Sequence, residues 1–190
     1  MASPAAPAAW EDGRVNVDRT NVPAPSATTS LVSAAGWLGP QPRPWGWPPD
    51  PFFAAALLLA LPVWLGLGMW VGPAMRAPHG PWAWLSLLLI QPLLEELVFR
   101  GLLQGLALAW LSRRGSAWRL GPLTLANLLV SAGFVLLHLR TQPLAWALAV
   151  AAPSLVLGHL RERYGSVWPS VLVHAFYNTG FGLVAWLAHA

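Results

Sequence analysis

Apolar residues dominate five long stretches of the chain, and short polar stretches separate them. The stretches cover about residues 52 to 71, 81 to 111, 121 to 139, 143 to 160 and 166 to 189. Each approaches or exceeds the roughly 20 residues that a helix needs to cross the hydrocarbon core of a bilayer. The pattern predicts an all-α fold, a polytopic membrane helix bundle of about five transmembrane helices. Four or six spans also fit the pattern. The shortest stretch contains Pro153, which is compatible with a kinked or re-entrant helix there.

The first 50 residues differ from the rest of the chain. They are rich in proline, alanine, serine and glycine, as in MASPAAPAA near the start and PQPRPWGWPPD near the end. Such a composition cannot bury enough apolar surface to fold by itself. We therefore expect a disordered tail over residues 1–50 and a membrane domain over residues 51–190.

Composition supports a lipid environment and excludes several function classes. The chain is 56% hydrophobic and 9% charged, with a mean hydropathy of +0.52, so we expect an integral membrane protein in a lipid bilayer. It has no cysteine, so thiolate metal sites and cysteine nucleophiles are excluded. Its basic residues are all arginines that cluster between the apolar stretches, a pattern of membrane topology and not of a nucleic-acid surface.

The arginines also predict an orientation. Cytoplasmic flanks of membrane helices carry an excess of basic residues. With five spans, Arg76 and Arg140 flank one side, and a larger set flanks the side of the N-terminus. That set is Arg43, Arg113, Arg114, Arg119, Arg161 and Arg163. We expect the N-terminus in the cytoplasm.

The stretch QPLLEELVFR places charge inside an apolar run. Between residues 51 and 190 the chain has only three carboxylates, Glu95, Glu96 and Glu162. An ionisable side chain at mid-membrane costs about 2.5 to 3.5 kcal/mol on insertion scales, so such groups usually have a function. Glu96 lies four residues before Arg100, the favourable order for an ion pair on one helix face. Glu95 points about 100° away and has no such partner.

Two further polar pairs lie in later apolar stretches. His138 follows Phe134 by four residues in FVLLH, and Asn178 follows His174 by four residues in HAFYN. At a rise of about 1.5 Å per residue, Glu95 and His138 fall at a similar depth, displaced towards the extracytoplasmic side. We therefore expect these polar groups to meet within the bundle.

These residues fit three kinds of site. A carboxylate and an imidazole can activate water while His or Asn donors stabilise an oxyanion, which would give hydrolysis within the membrane. Glu95, His138 and His174 could instead bind zinc, although no H-E-x-x-H pattern is present. A non-catalytic polar lock between helices would explain Glu96 well and Glu95 poorly. The residues alone do not decide between them.

The three motifs resemble those of the CAAX prenyl protease and bacteriocin-processing (CPBP, or Abi) family of intramembrane proteases. That family carries E-E-x-x-x-R, F-x-x-x-H and H-x-x-x-N/D, and this chain has EELVFR, FVLLH and HAFYN in the same order on successive apolar stretches. The resemblance covers about residues 81 to 182. It implies an intramembrane endopeptidase.

The resemblance also implies roles for individual residues. Glu95 and His138 would activate the attacking water, and His174 and Asn178 would form the oxyanion site. Glu96 and Arg100 would support that site. The family is regarded as glutamate-type, which implies no cofactor, with zinc on Glu95, His138 and His174 as the alternative.

The expected substrate is a membrane-anchored protein. The chain carries little beyond the motif-bearing core, unlike the eukaryotic prenyl proteases, and small bacterial members of the family resemble enzymes that trim C-terminal sorting tails of surface proteins. The resemblance thus implies a bacterial plasma membrane. The alternative is a non-catalytic immunity or scaffold protein in which the same residues form the polar lock.

Overall fold

The protein is described by a computed structural model, in which residues 50–71, 74–116 and 118–190 are described. The tail predicted for residues 1–50 lies outside the described residues, apart from Asp50. The membrane domain predicted for residues 51–190 is described over nearly all of its length.

The described residues are mostly helical and include a single short hairpin, so the all-α prediction is confirmed. The helices and strands are α1 (Pro51–Leu58), α2 (Ala60–Trp70), α3 (Gly80–Leu85), α4 (Gln91–Glu96), α5 (Gln104–Arg113), β1 (Arg119–Leu120), β2 (Leu123–Thr124), α6 (Leu125–His138), α7 (Leu144–Ala149), α8 (Ala151–Tyr164) and α9 (Trp168–Leu187). Two π-helical segments, Ser86–Ile90 and Leu97–Leu103, join α3, α4 and α5 into one long helix.

Four helical segments among the described residues are long and apolar enough to cross a membrane. They are Pro51–Trp70, Gly80–Arg113, Leu144–Tyr164 and Trp168–Leu187. These segments confirm the predicted helical membrane bundle. The fifth predicted span differs, because α6 has only 14 residues.

A turn explains why α6 is shorter than its apolar stretch. Gly121 has a φ of 60°, a conformation that favours glycine, and Pro122 follows it. Residues 119 and 120 pair with residues 123 and 124 in an antiparallel hairpin around this turn. The helix therefore begins only at Leu125, where the Thr124 side chain caps it by accepting a hydrogen bond from the backbone N–H of Asn127.

Helix α9 lies at the centre of the bundle, against α8, α2, α4 and the first π segment. Glycines allow close approach at two of the helix contacts, one of α9 with α2 and one of α8 with α6. A Cβ at Gly180 would overlap the Trp64 indole on α2, and a Cβ at Gly158 would overlap the Asn127 amide. Small residues at helix contacts are typical of bundles packed within lipid.

Polar contacts define one end of the bundle, which we call the arginine-rich end. Asp50 caps α1 and lies 2.6 Å from Arg163 Nε at the end of α8, and this hydrogen bond lowers the pKa of Asp50. The hydroxyl of Thr124 donates to Glu162 at 2.6 Å, which places the hairpin and Arg119 at the same end. Arg140, after α6, therefore lies towards the opposite end.

Candidate active site

The adjacent glutamates lie on α4, directly between the two π segments. Pi-helical turns are rare and frequently occur at functional sites. The two carboxylates have different surroundings. Glu95 has a side chain that is 30% exposed, whereas Glu96 is fully buried. The predicted difference between the two glutamates is therefore present in the structure.

The predicted ion pair between Glu96 and Arg100 is also present. Arg100 Nε lies 3.3 Å from Glu96 Oε2, and both side chains are fully buried. Neither of these two atoms has a partner with hydrogen-bond geometry in the part of the chain that the structure describes. Arg100 lies in the second π segment, where a four-residue offset no longer stacks side chains as it does in an α-helix. Its guanidinium instead donates to Ser154 Oγ at 2.8 Å and lies over the Phe134 ring.

His174, on α9, lies between the two glutamates. Its Nδ1 is 2.8 Å from Glu96 Oε1, a hydrogen-bond distance, and its Nε2 is 3.8 Å from Glu95 Oε2. A carboxylate that accepts from Nδ1–H fixes the orientation of the ring. Sequence reasoning placed His174 beside Asn178 and did not anticipate its contact with Glu96.

His138 is held by its own helix. Its Nδ1 lies 2.9 Å from the carbonyl oxygen of Phe134, and its ring packs on the Phe134 ring. Because a carbonyl oxygen only accepts, Nδ1 carries the hydrogen, and Nε2 of the neutral ring keeps its lone pair. The F-x-x-x-H spacing thus orients the histidine through both its backbone and its aromatic ring.

Glu95 and His138 share one pocket. This pocket, of about 300 Å³, is lined by Glu95, Leu137, His138, Arg140 and Thr141. Because Arg140 and Thr141 follow α6, the pocket opens away from the arginine-rich end. The structure thus brings together a carboxylate from one helix and an imidazole from another beside an open space.

Asn178 contacts the long helix that carries the glutamates. Its amide nitrogen donates to the Leu87 carbonyl oxygen at 2.9 Å, in the first π segment. That bond uses one of its two N–H groups. Neither Asn178 nor His174 is among the described residues that line the pocket.

The alternative zinc ligands do not form a ligand set in this arrangement. Among the described residues, no three His, Asp or Glu side chains lie together as metal ligands would. His174 Nδ1 contacts Glu96 and His138 Nδ1 contacts the Phe134 carbonyl oxygen, so only Nε2 of each ring is left for a metal. As they lie here, Glu95, His138 and His174 are not grouped as three zinc ligands would be, and no step below passes through a metal.

Several polar contacts of the site were not identified from sequence. The sequence alone assigned no role to Ser154 or to Glu162. Glu162 lies on α8, and its Oε1 accepts from Gln104 and Thr124. One signal was available, because Ser154, Gly158 and Glu162 recur every four residues and so share one helix face.

Together these features define a helical membrane protein with a carboxylate and imidazole pocket between its helices. Residues 77–180 match the family described as type II CAAX prenyl endopeptidase Rce1-like. The match covers more than half of the chain and includes all three motifs, so the chain belongs to this family of CAAX-type membrane proteases. The predicted family is thereby confirmed. Comparisons with curated proteins and with solved structures give no match.

Proposed function

We propose that the protein is an intramembrane endopeptidase that hydrolyses a peptide bond of a membrane-anchored protein. The observation that carries this proposal is the pocket shared by Glu95 and His138. A base must lie within hydrogen-bond reach of the proton that it removes, and both side chains face the same space. Family membership supports the assignment as a protease.

In the proposed reaction, water lies between Glu95 and His138. One of these two bases removes a proton from the water, and the resulting hydroxide attacks the carbonyl carbon of the scissile peptide bond. The tetrahedral intermediate then collapses with cleavage of the C–N bond, and the proton passes to the leaving amine. The products are a new carboxylate and a new amine.

His174 and Asn178 are proposed to stabilise the oxyanion. His174 Nδ1 is engaged by Glu96, so Nε2 donates to an oxyanion when the ring carries both protons. Asn178 retains one N–H beyond its bond to Leu87. Preorganised donors of this kind are worth several kcal/mol in the transition state, about 2.7 to 4 for a single one.

The alternative is a non-catalytic immunity or scaffold protein held by a polar lock. The contacts of Glu96 with Arg100 and His174 would serve a lock equally well. A lock gives no reason for Glu95 to remain partly exposed, or for His138 to face the same pocket. These two residues favour the protease.

We further propose that the substrate is presented from the extracytoplasmic side of a bacterial plasma membrane, as C-terminal sorting tails of surface proteins are. The pocket opens away from the arginine-rich end, which the positive-inside rule places in the cytoplasm.

Two reporters test the substrate class with purified protein in lipid vesicles. One is a single-span protein with a short C-terminal tail, and the other is a farnesylated peptide that ends in a CAAX sequence. We expect cleavage of the single-span reporter at the membrane boundary. Preference for the farnesylated peptide would contradict the proposed substrate, and cleavage of neither reporter would contradict the protease itself.

Orientation gives a separate prediction. The chain lacks cysteine, so single cysteines report their own accessibility. Ser112 and Gln142 are exposed near opposite ends of the bundle. In intact cells, Gln142→Cys is expected to react with an impermeant thiol reagent, and Ser112→Cys only after permeabilisation. The reverse pattern would place the pocket mouth in the cytoplasm.

Activity is also expected to persist without metal. Purified protein treated with a strong chelator should cleave its reporter at the untreated rate, because the proposed reaction uses only side-chain bases. The measurement is the rate before and after chelation, together with the zinc content of the active sample. Stoichiometric zinc, with activity lost on chelation and restored by zinc, would contradict this prediction.

A further inference from the structure

Helix α8 presents a polar face to the long helix that carries the glutamates. Gln104, just after the second π segment, donates from Nε2 to the Gly158 carbonyl oxygen at 2.9 Å and to Glu162 Oε1 at 2.7 Å. Arg161 Nε donates to the Arg100 carbonyl oxygen at 3.2 Å. These bonds connect α8 to the π segment and the turn after it.

Ser154 belongs to the same face and reaches the site most directly. Its side chain is buried, and its Oγ accepts from Arg100 Nη2 at 2.8 Å. Nε and Nη1 of Arg100 have no hydrogen-bond partner within the described residues. The bond to Ser154 therefore orients the guanidinium group together with the Glu96 ion pair and the Phe134 ring.

The contacts continue from Ser154 to the pocket. Arg100 pairs with Glu96 Oε2 at 3.3 Å, and Glu96 Oε1 lies 2.8 Å from His174 Nδ1. His174 Nε2 then faces Glu95 at 3.8 Å. These contacts form one continuous series from Ser154 to the Glu95 side chain.

We propose that Ser154 is a positioning residue for peptide hydrolysis, acting through Arg100 and Glu96 on the orientation of His174 opposite Glu95. The inference rests on the proposed function. It adds to the reaction a residue that lies outside the three motifs EELVFR, FVLLH and HAFYN. Ser154 is not among the residues that line the pocket. Its loss should therefore slow the reaction and leave substrate binding unchanged.

The test compares Ser154→Ala, Ser154→Thr and Ser170→Ala on whichever reporter the wild type cleaves. Ser170 is the matched control, since it is equally buried and its hydrogen bond goes to the Leu157 carbonyl oxygen and not to Arg100. Ser154→Ala is expected to lower kcat about tenfold with KM unchanged. Ser154→Thr retains the hydroxyl and should have most of the wild-type kcat. Ser170→Ala should have the wild-type kcat.

Rates are expressed per amount of folded protein. A loss of stability in Ser154→Ala or Ser170→Ala then does not lower the measured kcat. A kcat for Ser154→Ala equal to that of Ser170→Ala would overturn the proposal, as would a change in KM alone. A Ser154→Thr variant as slow as Ser154→Ala would show that the hydroxyl is not the cause. If the wild type cleaves neither reporter, the proposed function itself fails, and the Ser154 proposal fails with it.

Discussion

Glu95→Gln is expected to lower kcat by about 10²- to 10⁴-fold, the usual contribution of a general base. The substitution preserves the shape of the side chain and removes only its basicity. Glu95 is partly exposed, and His174 Nε2 is 3.8 Å from its Oε2, too far for a hydrogen bond. The variant should therefore insert and fold like the wild type while losing cleavage.

Glu162→Gln provides the matched control for this loss. It makes the same chemical change on α8, at the arginine-rich end, and a glutamine oxygen still accepts from Gln104 and Thr124. We expect it to retain activity, whereas His138→Ala should lose activity as Glu95→Gln does. Normal cleavage by Glu95→Gln in protein of normal abundance would contradict the assigned base.

Arg100→Ala is expected to lower stability and the amount of inserted protein. Arg100 and Glu96 are both fully buried, and the substitution leaves the Glu96 carboxylate without its cation. Removing one member of a buried pair typically costs about 3 to 5 kcal/mol. Protein abundance in membranes and thermal unfolding in detergent measure this loss.

Two further variants separate charge from packing. Arg113→Ala removes an exposed arginine from the end of α5 and should have no comparable effect. Combining Glu96→Gln with Arg100→Met removes both buried charges, so it should recover much of the folded protein without recovering cleavage. Equal abundance of Arg100→Ala and wild type would argue against a structural role for the pair.

Contacts within one helix were predictable from sequence because they depend only on spacing. The four-residue offset from Glu96 to Arg100 predicted their ion pair, and apolar length predicted the membrane helices. The short α6 was not anticipated, since the apolar stretch runs through the Gly121 and Pro122 turn. Hydropathy depends on composition alone, so it does not detect a turn that interrupts a helix within an apolar stretch.

Contacts between helices were less predictable because they depend on helix rotation and depth. The bond from His174 to Glu96 requires α9 to face α4 at one level, which no local pattern specifies. The π segments on both sides of α4 have no periodic signal in a uniformly apolar run. Ser154 was missed for a related reason, because its partner Arg100 lies 54 residues away.

Purified protein in vesicles of lipid alone gives the most direct measurement of the central claim, hydrolysis by this chain through Glu95. The single-span reporter is incubated with wild type or with Glu95→Gln, and the masses of the products are determined. We predict two fragments from the wild type whose masses sum to the reporter plus one water molecule, and intact reporter from Glu95→Gln. Intact reporter with both proteins, or equal cleavage by both, would contradict the account.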